Sequence, residues 1–185
     1  LNQTHTAFNL SLFLAGVALI FVGHSFINNF TIQLVEHAGG DTEEMGRLGA
    51  MMAVLELPGM LGFGFLLRKV RCSSVIKTAM ALFTVKVTLT GLAVSVPALY
   101  GATMLQVATY GLFIPASVQY ALDVTEPQDA VKGQAFVTGM LTLGTVISSL
   151  IGGRLTDLFG VSAAIMVFSG MSLAGSVLSI AGVQK

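Results

Sequence analysis

The stretch Gly49–Ser74, GAMMAVLELPGMLGFGFLLRKVRCSS, decides how the chain is read. It is apolar over a length that spans a bilayer, for which about 20 residues suffice. A carboxylate, Glu56, sits near its middle, and a basic knot of Arg68, Lys69 and Arg71 closes it. The run points to a membrane. The knot points to the cytoplasmic face, because Lys and Arg accumulate there. The acid inside the run points to something polar or charged handled within the hydrocarbon layer.

Composition agrees with this stretch. Of 185 residues, 54% are hydrophobic and 10% are charged, and the mean hydropathy is +0.84. A soluble domain carries about 25% charged residues, so this chain has too little charge to solvate a globular surface. The expected class is an all-α, polytopic membrane protein. Formal net charge is zero, which offers no basic face to nucleic acid. The one cysteine, Cys72, excludes a disulfide within the chain and suits the reducing side of a membrane. No His/Cys cluster has ligand spacing, so neither a metal site nor a cofactor is expected. The chain opens on Leu1 rather than methionine, as a processed or truncated product does.

Working outward from Gly49–Ser74, six hydrophobic segments can be read, at about 8–34, 48–67, 74–96, 98–122, 126–155 and 161–181. Together they form one six-helix bundle over residues 1–185. With cytoplasmic termini, Arg68, Lys69, Arg71, Lys77, Lys132 and Lys185 fall on the cytoplasmic side. Arg47 and Arg154 fall opposite, so the positive-inside rule favours this orientation in a cell (inner) membrane. Residues 36–47 read as a solvated acidic loop, and Thr125 with Gln128 has capping-box spacing ahead of the fifth helix.

The third segment carries Lys86 in its middle. Glu56 lies as far before Arg68 as Lys86 lies after Ser74, about 18 Å of helix at about 1.5 Å per residue. Antiparallel neighbours therefore set acid and cation at one depth. A lone charge there costs at least about 3 kcal/mol, which a partner or a wet cavity relieves. A fixed ion pair joining two helices is the plain alternative. The first segment holds His24, Ser25, Asn28 and Asn29 in its outer half, with His24 and Asn28 on one face and Ser25 and Asn29 on the next. Such groups either bond neighbouring helices or line a polar cavity. In the fourth segment Gln106, Tyr110, Phe113 and Ser117 share helical spacing and mix amide with aromatic groups, a combination that suits sugars and also suits ordinary packing. Pro58, Gly59, Gly62 and Gly64 make a bent helix that neighbours approach closely. Gly144, Ser148 and Gly152 form a close-packing stripe, while Gln134, Thr138, Thr142 and Thr145 give a mildly polar face. Ser169, Ser172, Ser176 and Ser179 line one side of the last segment, with hydroxyls that can bond their own helix.

The order of ELPGMLGFGFLLRKVRCSS and LGTVISSLIGGRLTDLFGVSAA resembles the second half of a major facilitator superfamily transporter. Within it the chain looks most like the oligosaccharide/proton symporter, lactose permease-like branch. The resemblance implies half of a twelve-helix fold, with an N-terminal six-helix half of the same transporter as partner and a central cavity opening alternately to each side. It implies proton-driven symport of a small polar solute. It assigns proton coupling to Glu56 and its charge partner Lys86, where lysine stands in place of arginine. The branch has a histidine and a glutamate where this chain has Gln106 and Thr109, and acids near Asn28 and Asn29; that relay is missing here. His24, Asn28, Asn29, Gln106 and Tyr110 are the expected cavity residues. The chain is read as no enzyme, since no catalytic set lies at one depth. The alternatives are an uncoupled facilitator or efflux transporter on the same fold, or a structural six-helix membrane protein.

Overall fold

The computed structural model describes residues 2–183; Leu1 and Lys185 lie outside them. The described residues fold into α1 (Asn2–Asn29), α2 (Thr31–His37), α3 (Thr42–Leu66), α4 (Cys72–Gly91), α5 (Val96–Thr103), α6 (Tyr110–Val124), α7 (Ala130–Phe159) and α8 (Val161–Gly182). Five of these, α1, α3, α4, α7 and α8, are long and apolar enough to cross a membrane.

The expected count of six continuous spans needs correction in the fourth. There the helix stops at Thr103, a 3-10 turn covers Met104–Gln106, and helix resumes only at Tyr110. The cause is local and tertiary at once. Thr109 leaves helical geometry (ψ −97°), while its hydroxyl and its own N–H both reach the Leu105 carbonyl (2.9 Å each). At the same level α3 presses its backbone at Gly59 against Val107 and Gly111, where a side chain would strike the Val107 carbonyl. Gly62 and Gly64, expected to serve the same purpose, face open space.

Two further boundaries differ from expectation. The first segment breaks at Phe30 (φ −116°, ψ 27°), where the Thr31 hydroxyl donates to the carbonyls of Ile27 (2.7 Å) and Asn28 (3.0 Å). The acidic stretch is mostly helix. Asp41 caps α3 by accepting from the Glu44 N–H (3.0 Å), and Arg47 pairs with Glu43 and Glu44 on its first turns. The capping box at Thr125 and Gln128 does not form. Thr125 donates back to the Ala121 carbonyl at the end of α6, and Gln128 turns to Glu126.

Helix α1 is the axis of the bundle: 67% of its span is buried, against 22% for α3 and for α7. It lies among α8, α7 and α4. The small-residue stripe on α7 packs there, with Gly144 against Ala18 and Phe21 and Gly152 against Phe26 and Phe30. The serines of α8 do more than bond their own helix. Ser172 and Ser179 donate to the Ile20 and Phe13 carbonyls of α1, and Ser176 donates to the Met80 carbonyl of α4 (2.7 Å). Thr84 and Thr88 of α4 meet Ser176 and Ser169. Helix α8 is thus pinned between two neighbours by side-chain hydrogen bonds, which substitute in a membrane for the missing hydrophobic drive.

Two apolar clusters fill the interior of the bundle. One gathers Phe13, Val75, Tyr120 and Val183; the other gathers Ile27, Leu48, Leu99 and Val161. Leu99 of α5 belongs to the second cluster and Phe113 and Tyr120 of α6 to the first, so α5, the turn and α6 lead from one to the other as one broken traverse. His24, Lys86 and Gln106 are buried in the same interior.

Candidate functional site

The site begins at Gly59. Its close approach to Val107 and Gly111 sets α3 against the break between α5 and α6, and Glu56, one turn earlier on α3, reaches the same break. Gln106 closes the contact. Its Nε2 donates to Glu56 Oε1 (2.7 Å), and its Oε1 accepts from Lys86 Nζ on α4. Lys86 is fully buried, Gln106 is 1% exposed, and Glu56 is half-buried.

Acid and cation therefore share one level, but they do not touch. Among the described residues the ion pairs are those of Arg47 with Glu43 and Glu44 and of Lys132 with Asp129. The charge pair expected at one depth is bridged by an amide. A carboxamide presents acceptor and donor side by side, so it meets ammonium and carboxylate at once. Gln106 belongs to this bridge and not to the cavity where the helical spacing places it, because the broken helix removes the shared face with Tyr110.

The cavity lies beside the bridge. It has a volume of about 260 Å³ and is lined by Phe21, His24, Ser25 and Asn28 of α1, Tyr110 of α6, and Leu141, Thr142 and Thr145 of α7. His24 stacks on Tyr110 (centroids 5.1 Å apart, planes at 26°) and meets Phe21 and Phe83 edge-on. Phe113 completes the aromatic cluster against Phe21 and Phe83. Asn28 Nδ2 donates to His24 Nε2 over 3.4 Å, so a neutral ring carries its proton on Nδ1. That nitrogen is buried and has no hydrogen-bond partner. Thr142 donates to the Thr138 carbonyl and Thr145 to the Leu141 carbonyl. Ser25 then donates to Thr145 Oγ1 (2.8 Å). These hydroxyl protons are committed within the protein, and the lone pairs remain. The wall therefore offers acceptors, the second Asn28 N–H and an aromatic face, with no formal charge.

Asn29 does not join it. Its amide donates to Ser149 of α7 (2.9 Å), and it lines a neighbouring groove of about 320 Å³ with Asn28, Thr31, Ile32, Met45 and Gly49. Of the expected cavity residues, His24, Asn28 and Tyr110 come together, whereas Asn29 and Gln106 stand apart. Phe21 and Phe83 carry no polar signal; only Phe21's position one turn before His24 points to the site.

A comparison with curated proteins finds no match. A family model, Major Facilitator Superfamily, matches residues 12–183, the length that holds the bundle, the bridge and the cavity. Proteins of this family move solutes through membranes, and the chain belongs to the Major Facilitator Superfamily.

Proposed function

We propose that the chain is the C-terminal six-span half of a secondary transporter that carries a small neutral polar solute, a sugar or a nucleoside, by alternating access. The observation that carries this reading is the uncharged, acceptor-rich cavity around His24, Asn28 and Tyr110. A solute entering it supplies hydroxyl protons to Thr142, Thr145 and Asn28. It accepts one hydrogen bond from the second Asn28 N–H and lays an apolar face on the Tyr110 ring. A carboxylate or phosphate would find no lining cation, and a cation would find no lining carboxylate, to offset its lost hydration. In the intact transporter the open side of the cavity is closed by the N-terminal six-helix half, as alternating access requires.

Proton symport is part of the proposal, with Glu56 as the group that takes and releases the proton and Lys86 as its charge partner, in the manner of the oligosaccharide/proton symporter branch. The basic turn Arg68, Lys69 and Arg71, with Lys132 at the start of α7, supports placing that end and both termini in the cytoplasm of a cell (inner) membrane. A second reading, an uncoupled facilitator or effluxer, draws on one observation: the group standing between Glu56 and Lys86 is an amide, which cannot pass a proton as a histidine can.

Counterflow in proteoliposomes tests the transport reading. Vesicles preloaded with unlabelled glucose, lactose or uridine are expected to accumulate the labelled form of at least one of them. Absence of counterflow for all three, together with exchange of a charged solute, contradicts the assignment.

A further inference from the structure

The carboxamide of Gln106 is buried and has a charged partner at each end: Lys86 Nζ donates to its oxygen, and its nitrogen donates to Glu56. It sits in the turn that interrupts the fourth traverse, four residues before Tyr110, whose ring stacks on His24 in the cavity wall. The turn itself is held by the crossing of Gly59 with Val107 and Gly111. One side chain thus touches α3 and α4 while lying on the segment that leads into the cavity. A buried charge deprived of its partner is costly, so the two charges and the amide between them move or stay as a set.

We propose that Gln106 is the positioning residue that makes Glu56 and Lys86 one charge unit and ties the state of that unit to the cavity through the 104–110 segment. The proposal rests on the transport reading for its consequence and on the hydrogen bonds for its geometry. Gln106 holds no proton and touches no solute. It fixes the distance at which Lys86 senses whether Glu56 is charged. A change at Glu56 alters the pull on the amide, and the nearest irregular backbone is the segment ending at Tyr110.

The test uses the full natural chain, in detergent and in proteoliposomes, with Gln106→Leu, Gln106→Glu and the swap Glu56→Gln with Gln106→Glu. The readouts are the melting temperature and the equilibrium exchange of glucose, lactose and uridine from about pH 5 to about pH 9. Gln106→Leu is expected to lower the maximal exchange rate about tenfold while KM stays within about twofold. Gln106→Glu sets two acids around one ammonium, so its melting temperature and exchange rate, relative to the parent, rise as pH falls. The swap restores one acid, one amide and one cation, and is expected to exchange within about threefold of the parent. Pairwise profiles identical to the parent for both single variants overturn the proposal. So does a KM raised about tenfold at an unchanged maximal rate, which would make Gln106 a solute ligand. If the parent exchanges none of the probes but the melting profiles follow the stated pattern, the charge unit stands and the transport reading falls.

Discussion

Gln106 donates to Glu56 across 2.7 Å from a turn that interrupts its own helix. The interruption and the bond have one origin. Gly59 follows Glu56 by one turn on α3, and its missing side chain lets α3 settle onto Val107 and Gly111. Filling that space separates acid from amide. Gly59→Leu is expected to lose at least about 1–3 kcal/mol of stability through overpacking against backbone. Gly62→Ala and Gly64→Ala, which face open space, are expected to stay within about 0.5 kcal/mol. Thermal melting in detergent checks all three.

His24 leaves one buried nitrogen without a partner, a cost the folded protein bears, while its Nε2 accepts from Asn28 in the cavity wall. His24→Phe keeps the ring stack on Tyr110 and removes both ring nitrogens. It is expected to hold or raise the melting temperature and, by freeing Asn28 from its acceptor, to raise KM about tenfold for a solute bonded to Asn28. Equal solute affinity in the variant would place the solute away from His24.

The hydroxyls of α8 bond across helices to α1 and α4. Ser176→Ala removes the donor to the Met80 carbonyl and the contact with Thr84. The expected loss is about 0.6–1.7 kcal/mol, the range of side-chain hydrogen bonds within membranes. Measured unfolding in detergent that shows no change would return these serines to their own helix.

At the end away from the basic turn, the Tyr100 hydroxyl donates to Glu44 (2.6 Å), whose other oxygen accepts from Arg47. Tyr100→Phe frees the first turn of α3 from α5. Hydrogen exchange of the amides at 44–48 is expected to quicken about tenfold, a local opening with little effect elsewhere.

The class and the depth of the charges were legible in the sequence. Low charge and long apolar runs leave a membrane as the fitting solvent, and counting residues from a basic turn places Glu56 and Lys86 at one level. The break in the fourth traverse was not legible. It depends on a glycine in another helix and on the departure of Thr109 from helical geometry, and neither disturbs hydrophobic periodicity. Gln106 was recognised as polar and inward, but its membership of a charge bridge depends on that break. The serines of α8 were visible as a stripe; what they bond to is decided by which helix faces them. Tyr110 and His24 were singled out on separate helices, and only packing around Phe21 and Phe83 brings their rings together.

The proton is followed most directly by solute-driven pH change in lightly buffered proteoliposomes holding the full natural chain. Addition of the transported probe is expected to alkalinise the outer medium, and Glu56→Gln to abolish that signal while exchange of the same probe continues. Probe uptake without alkalinisation, or an unchanged alkalinisation in Glu56→Gln, would contradict proton coupling at Glu56.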